Sequence, residues 1–272
     1  MKVGVIGLGV VGKPLYKALK FYHKNVYGYD KFKKQDSWYD IIDTNMVFLC
    51  VPTDVGEDGR LDMKVVDDVL NKLCKDKYKG VVVIKSTLRL GYVSSATKKY
   101  TKDFKIVVFP EWLYAKKAFP DTLNPEMTVI GVTRDDLADD VLKVCCWHEK
   151  EKAFIVQPEE ATMIKLTANA LGATKISFAN QIGIICDSYG LNAHRIMDVI
   201  KKDPRCAPRY LTPGSPFGGY CLPKDTSELS KTTFSGLETD VTELSESHPE
   251  AFLLDAVQKV NTVMKKRLDE QE

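Results

Sequence analysis

The sequence has few of the features that direct a protein to a membrane or to nucleic acid. Its 272 residues contain no apolar run of the roughly 18 residues that a membrane span requires. The formal net charge of +2 is close to balance, and the lysines are spread along the chain. No internal repeat or low-complexity tract is present. We therefore expect a globular protein with no membrane partner and no nucleic-acid partner.

Signs of a disulfide framework or a metal site are also missing. The seven cysteines include no CxxC pair, and their odd number argues against a disulfide scaffold and against zinc. The first residues enter a strand pattern without a positively charged leader or a cleavage site, so we expect no signal peptide. Reduced thiols are typical of a reducing compartment. The sequence thus predicts a cytoplasmic protein that binds no metal.

The first half of the chain alternates strand and helix signals. Six short, β-branched and almost fully apolar runs predict strands that are buried on both faces of a parallel sheet, at 2–7, 25–30, 46–51, 81–86, 105–110 and 127–132. The segments between them are long enough for crossover helices. An α/β, doubly wound Rossmann domain is expected over residues 1–156, ending after the apolar run at 153–156.

The second half, residues 157–272, is predicted to be an all-α domain for dimerisation and catalysis. A proline and two glutamates at 158–160 favour a helix start. The helix should cover about 159–189, or about 45 Å at 1.5 Å per residue. Its residues are small or apolar on nearly every side, so we expect the helix to be buried against a second copy of the chain in a homodimer. Further helices are predicted at 193–202, 223–231 and 251–272, with a polar segment at 235–250.

A glycine-rich turn follows the first strand and opens the first helix. Such a turn brings backbone N–H groups and a helix N-terminus to a pyrophosphate, here through Gly7, Gly9, Val10, Val11 and Gly12. Asp30 closes the second strand, where a carboxylate binds the ribose hydroxyls. It favours NAD over NADP, although lysines at 31, 33 and 34 weaken this inference. Residues at two later strand ends are also predicted to contact the cofactor: Val51, Pro52, Thr53, Ser86 and Thr87. The hydroxyl groups among them could instead cap the next helix.

Three features in the rest of the chain suggest catalysis. Cys221 precedes Pro223 at a predicted helix start, where the helix N-terminus lowers the pKa of a thiol, although a lone cysteine is more often buried and inert. Lys165 and Asn169 share a face of the long helix, where the lysine either works in a site or extends to solvent. Glu111 ends the fifth strand, where it either serves the site or caps a helix.

These residues belong to motifs that resemble the UDP-glucose and related nucleotide-sugar 6-dehydrogenases. The resemblance covers almost the whole chain, and its most specific part is the run FGGYCLPKD at 217–225. The other matching motifs are GLGVVG at 7–12, CVPT at 50–53, ST at 86–87, PE at 110–111 and KLTANA at 165–170. The resemblance implies oxidation of a nucleotide-sugar alcohol to a uronic acid with two NAD in succession. Cys221 would form a thiohemiacetal and then a thioester that water hydrolyses.

The resemblance also implies roles for individual residues. Lys165 and Asn169 match an oxyanion-stabilising pair, and Asp225 matches a group that handles a proton with a water near Thr87. Glu111 matches a carboxylate proposed to assist hydrolysis, and Lys224 is expected to contact the cofactor. With Glu111, Lys165 and Asn169, the positions that match the lining of the sugar and phosphates are Arg205, Tyr210, Phe217, Gly218 and Gly219.

The sequence departs from the family at several points. Tyr114 and Ala115 stand in place of an arginine and a glutamate, and Pro216 stands where glycine is more usual. The family's longer members continue past the final helix into a second α/β domain that closes over the nucleotide. A smaller sugar, a partner chain or an inactive NAD-binding homologue therefore stay open as alternatives. So does a β-hydroxyacid-type dehydrogenase, which transfers one hydride and uses no cysteine.

Overall fold

A computed structural model describes residues 1–100, 102–232 and 252–270. The predicted polar segment at 235–250 lies outside these residues. The chain divides into two compact units. The first comprises residues 1–54 and 62–165, and the second comprises residues 55–61 and 166–272. The predicted domain boundary after residue 156 remains a prediction.

The first unit is built on a sheet of seven strands, each of four residues. The strands are β1 (Val3–Ile6), β2 (Val26–Tyr29), β3 (Met46–Leu49), β4 (Val81–Ile84), β5 (Lys105–Val108), β6 (Thr128–Gly131) and β7 (Ala153–Val156). The helices between them are α1 (Gly12–Tyr22), α2 (Trp38–Ile42), α3 (Lys64–Lys75), α4 (Tyr92–Tyr100), α5 (Ala118–Leu123) and α6 (Asp135–Val144). Strands β1 to β6 fall within the six predicted runs, which extend one or two residues beyond them, and β7 coincides with the apolar run at 153–156.

The strand order defines where a ligand can bind. The order is β2-β1-β3-β4-β5-β6-β7, and all neighbours are parallel except β5 and β6. The chain adds β2 on one side of β1 and β3 on the other, so the direction of winding reverses between β1 and β3. Ligands of such sheets lie beyond the carboxyl ends of the strands at this reversal. The predicted Rossmann fold is confirmed.

Most of the sheet is buried because its inner strands carry apolar residues on both faces. All four residues of β1, β3 and β6 are buried. One face packs into a cluster that includes Val5, Leu15, Phe48 and Val141, each at most 2% exposed. Since burying such a side chain contributes about 1.5–3 kcal/mol, this core holds the carboxyl ends of the strands in fixed positions.

The second unit is helical. Helix α7 (Pro158–Ser188) begins in the first unit and continues in the second, which also contains α8 (Ala193–Ile200), α9 (Cys221–Thr232) and α10 (Phe252–Asp269). Its small core includes Ala173, Phe217 and Val257. Helix α9 begins two residues earlier than predicted, so that Cys221 is itself the first helical residue and Pro223 is the third. Proline is tolerated there because the first turn has no internal use for its N–H. No helix in the described part of the chain is long and apolar enough to cross a membrane.

Candidate active site

The glycine-rich turn after β1 leaves no room for side chains on its inner side. Gly7 has a φ of +86°, and a Cβ there would lie 2.6 Å from the Cys50 carbonyl oxygen. A Cβ on Gly12 would lie 1.8 Å from the Gly7 carbonyl oxygen. At Gly9, in contrast, a Cβ would meet nothing within 4 Å. The turn is therefore closed towards the sheet and open at Gly9, which fits the approach of a pyrophosphate to its backbone.

Asp30 is anchored to this turn at the end of β2. Its carboxylate accepts hydrogen bonds from the backbone N–H of Leu8 at 2.8 Å and of Phe32 at 3.0 Å. Burial raises the pKa of Asp30, but the N–H groups of Phe32 and Leu8 and the charge of Lys33 outweigh it, and the pKa lies below its ordinary value. The Lys33 ammonium lies 3.5 Å from the carboxylate and donates to the Leu8 carbonyl at 2.5 Å. An ionised carboxylate is thus held beside the glycine turn, and its contact with a ribose stays a prediction.

Beside the open side of the turn lies a cavity of about 380 Å³. It is lined by Gly9 and Val10 and by the segment 115–120. Four lysines also line it: Lys13, Lys17, Lys116 and Lys117. Their charge favours an anion, as does the N-terminus of α1. These lysines were not among the predicted contacts, because their spacing in the sequence gives no sign that they lie together.

The residues that follow β3 (51–53) and β4 (86–87) differ in burial and in their hydrogen bonds. The Ser86 hydroxyl donates to the Val51 carbonyl at 2.7 Å and so ties the end of β4 to the end of β3. Thr53 is buried, Pro52 is exposed and Thr87 is partly buried. Ser86 thus has a clear structural role, and contact of these residues with a cofactor stays a prediction.

Glu111 lies just beyond β5 and is held at three points. Its Oε2 pairs with the Lys85 ammonium at 3.1 Å, and its Oε1 accepts from the Trp112 backbone N–H at 2.8 Å. Its carbonyl oxygen accepts from the Lys165 ammonium at 2.6 Å, and this ammonium also lies 4.8 Å from the centroid of the Trp112 ring. The structure thereby brings together Glu111 and Lys165, two of the predicted site residues, within the first unit.

Lys85 was not among the predicted site residues. In the structure its side chain is only 3% exposed. It directly follows β4 and donates to the Phe109 carbonyl at 3.3 Å. A lysine placed between a fully apolar strand and the Ser86-Thr87 pair was a detectable signal in the sequence. Its partner, however, comes from the neighbouring strand β5, and such pairing emerges only from the fold.

The predicted nucleophile Cys221 is exposed on the first turn of α9. Asp225 lies one turn further along the same helix and is fully buried. Its carboxylate pairs with the Lys224 ammonium at 2.7 Å and accepts a short hydrogen bond from the Asn169 side-chain amide. The second unit thus groups Asn169, Lys224 and Asp225 next to the turn that carries the thiol. Cofactor contact by Lys224 remains a prediction.

The residues predicted to line the sugar and phosphates fall into two groups. Phe217 is 3% exposed and packs in the core of the second unit, while Asn261 holds its backbone N–H and carbonyl. Arg205 is exposed and forms a bidentate ion pair with Asp203, which raises the pKa of the arginine. The remaining three are exposed and lie near Cys221 in the chain: Tyr210, Gly218 and Gly219.

A doubly wound sheet with a closed glycine turn and an aspartate at the end of β2 defines a dinucleotide-binding fold. The NAD-binding domain of the UDP-glucose/GDP-mannose dehydrogenase family matches residues 31–145, and the central domain of the same family matches residues 159–262. The chain belongs to the UDP-glucose/GDP-mannose dehydrogenase family, and NAD is the cofactor of its first unit.

Individual relatives agree with this assignment. The chain is 32% identical over 196 residues to a UDP-glucose 6-dehydrogenase of Streptococcus pneumoniae, covering 69% of this chain and 50% of the relative. It is 33% identical over 236 residues to a GDP-mannose 6-dehydrogenase of Pseudomonas savastanoi pv. phaseolicola, covering 80% and 51%. The chain spans about half the length of the curated relatives it matches.

A solved structure shows the same fold. A UDP-glucose dehydrogenase from the archaeon Pyrobaculum islandicum superimposes with a TM-score of 0.83 at 24% identity, covering 97% of this chain and 68% of that one. At this identity the likeness is evidence for the fold alone.

Proposed function

We propose that the chain oxidises the primary alcohol of a nucleotide sugar, with a UDP-sugar favoured, to the uronic acid, and that Cys221 is the covalent nucleophile. The observation that carries the proposal is the arrangement on α9. An exposed thiol occupies the first helical position. One turn later, the buried Asp225 holds Asn169 and Lys224. A structural cysteine needs neither this exposure nor such a polar cluster beside it.

The cysteine divides a four-electron oxidation into manageable steps. NAD, when bound, accepts one hydride in each of two oxidations. The first oxidation turns the alcohol into an aldehyde, and the Cys221 thiolate, favoured by the helix N-terminus, adds to its carbonyl carbon to give a thiohemiacetal. Loss of a second hydride and of the hydroxyl proton gives a thioester. Water then cleaves the C–S bond, which releases the carboxylate and restores the thiol.

Lys165, Asn169 and Asp225 are assigned to the charges and protons of these steps. The carbonyl oxygen becomes negatively charged when the thiolate adds to the carbon, and a positioned cation and amide stabilise that charge. Lys165 supplies the cation and Asn169 the amide, whose orientation is fixed by Asp225. Asp225 is also the candidate for taking up a proton. Thr87 and Glu111 keep their predicted roles near the attacking water.

We further propose that the chain works as a homodimer through α7. Leu171, Phe178 and Ile185 are spaced by seven residues on this helix and are each 46–55% exposed. Residues with this spacing lie on one side of a helix, so they form an apolar stripe of the kind that a second copy covers. Leu171→Lys together with Phe178→Lys should convert a dimer into a monomer in light scattering. A wild-type chain that is monomeric at micromolar concentration would exclude the dimer.

The function is tested by counting NADH. The protein is incubated with NAD and a panel of UDP-sugars, GDP-sugars and simple sugars, and the NADH formed per sugar consumed is measured. A nucleotide-sugar 6-dehydrogenase gives two, whereas a β-hydroxyacid-type dehydrogenase gives one on its own substrates. Cys221→Ser should abolish formation of the second NADH, while the control Cys146→Ser, at another exposed thiol, should leave the ratio at two. If no sugar reduces NAD, the proposal is wrong.

Thiol labelling gives a second test without a substrate. Burial raises the pKa of Cys50 and of Cys145 to about 12 each, so both should resist iodoacetamide at pH 8. Cys221 should react faster than Cys146, since both are exposed but only Cys221 begins a helix. Equal rates would argue against an activated thiol. We also propose a reducing, cytoplasmic setting, in which such a thiol persists.

A further inference from the structure

The Lys85–Glu111 ion pair lies at the strand ends of the first unit, and the proposed mechanism gives its lysine no role. Lys85 is 3% exposed and Glu111 is 14% exposed, with 3.1 Å between the ammonium nitrogen and Oε2. The ammonium also lies 3.8 Å from the centroid of the Phe109 ring. A buried cation is costly unless it is paired and hydrogen-bonded. We therefore expect the ion pair to have a functional role.

From this geometry we infer that Lys85 is a positioning residue, which holds the Glu111 carboxylate in one orientation for the part in thioester hydrolysis proposed for it above. This inference rests on the proposed function. Lys85 fixes Oε2 and the Trp112 N–H fixes Oε1, so the carboxylate plane cannot rotate freely. Lys165 fixes the backbone of the same residue through its carbonyl oxygen.

The cation paired with the Glu111 carboxylate is the Lys85 ammonium, with 3.1 Å between its nitrogen and Oε2. The titratable groups near the pair include the thiols of Cys50 and Cys145 and the imidazole of His148. Both thiols are neutral because burial raises their pKa to about 12, and His148 is neutral because burial lowers its pKa to about 3. The Lys165 ammonium contacts the carbonyl oxygen of Glu111. Lys85 is thus the cation paired with the carboxylate itself.

A positioning role for Lys85 predicts a specific pattern in the kinetics of NADH formation. If Glu111 assists only the hydrolytic step, its loss leaves both hydride transfers intact and lets the thioester accumulate. Lys85→Met should then behave like Glu111→Gln. Each should give a normal burst of two NADH per active site, followed by steady-state turnover that is slower by roughly 100-fold, the usual size of a general acid–base contribution. Intact-mass measurement should find the uronyl adduct on Cys221.

Two further variants separate positioning from a general structural role. Lys85→Met combined with Glu111→Gln should be no slower than Glu111→Gln alone, because the lysine acts through the glutamate. Lys85→Arg should restore part of the steady-state rate, because it keeps the charge. Lys79→Met is the matched control, since Lys79 pairs with Asp103 at 3.6 Å with 66% of its side chain exposed, and it should change neither phase.

The inference fails if Lys85→Met reduces the burst as much as the steady state, or if the two substitutions multiply their effects. If Lys85→Met does not fold, Lys85→Gln, which keeps a donor for the Phe109 carbonyl, takes its place. Denaturant unfolding offers a readout without turnover: each single variant should unfold at a lower midpoint than the double variant. If the wild-type enzyme is active and the double variant does not unfold at a higher midpoint than the single variants, the inference is wrong. If the wild-type chain forms no NADH with any sugar, the proposed function itself is wrong.

Discussion

Arg60 and Glu228 form an ion pair at 2.8 Å although they lie 168 positions apart in the sequence. The Glu228 side chain is fully buried, and its other oxygen accepts from the Leu61 backbone N–H at 2.8 Å. Nearby, the Ser227 hydroxyl donates to the Gly59 carbonyl at 2.7 Å. The segment 55–61 is thereby fastened to α9, the helix that begins with Cys221.

Removing one partner of this pair should destabilise the protein markedly. Arg60→Met removes the cation that lies 2.8 Å from a buried carboxylate, and such a change costs about 3 kcal/mol of unfolding free energy. The control Arg134→Met breaks an exposed pair with Asp136 and should cost about 0.5 kcal/mol or less. Urea unfolding of both variants measures the difference. Equal losses would mean that the Arg60–Glu228 pair does not hold α9 in place.

The sheet was predictable because its signal is local. Each strand from β1 to β6 lies within one of the six predicted runs, and strands that are buried on both faces produce such runs whatever their neighbours. The seventh strand, β7, was not predicted as a strand. Asp30 was predictable for a similar reason, since its distance from the glycine turn is set by one helix and one strand.

The contacts between distant segments were not predictable from one sequence. Arg60 looks like an ordinary polar loop residue until α9 is placed beside it, and Lys85 acquires a role only when β5 brings Glu111 alongside. Phe217 belongs to the motif that identifies the family, yet its side chain packs against Ala173 and Val257 in a core that no local pattern reveals. Local spacing predicts elements and motifs, whereas partners depend on packing.

Gly9→Ala should separate cofactor binding from stability. A Cβ there meets nothing within 4 Å, so the unfolding free energy should change by less than about 0.5 kcal/mol. The same Cβ occupies the side from which a pyrophosphate approaches, so the Kd for NAD should rise about tenfold, or ~1.4 kcal/mol. Calorimetric titration measures the Kd.

Gly12→Ala is the contrasting variant for the same turn. Its Cβ would lie 1.8 Å from the Gly7 carbonyl oxygen, so the backbone must move, and stability should fall by about 2–3 kcal/mol.

An unchanged Kd for NAD in Gly9→Ala would show that the cofactor does not approach this side of the turn.

Asp30→Asn should shift cofactor preference towards NADP. The wild-type carboxylate repels a 2′-phosphate, whereas the variant removes that charge and leaves the Lys33 ammonium, now 3.5 Å from Asp30, available to attract it. The ratio of the Kd for NADP to that for NAD should fall about tenfold, or ~1.4 kcal/mol. Lys31→Met, an exposed neighbour, should not lower this ratio. A ratio unaltered by Asp30→Asn would mean that Asp30 does not face the ribose.

His148 should make the first unit less stable in mild acid. Burial and, secondarily, the charge of Lys85 lower the pKa of His148 to about 3, whereas the unfolded chain titrates near the ordinary 6.5. Below pH 6.5 the unfolded state therefore binds a proton that the folded state rejects, and stability falls with pH. Between pH 7 and pH 5 this loss amounts to about 2 kcal/mol for one group.

His148→Gln isolates this contribution. Glutamine does not titrate, and it retains a polar group for the Thr128 hydroxyl, which lies 2.7 Å from the His148 Nδ1. The variant should lose about 2 kcal/mol less than wild type between pH 7 and pH 5, while His194→Gln, at an exposed position on α8, should keep the wild-type slope. The pH range matters because Asp30, whose pKa is lowered, withdraws its own contribution only when the pH falls below 3.8. A slope in His148→Gln equal to that of wild type would mean that the imidazole is accessible to protons in the folded chain.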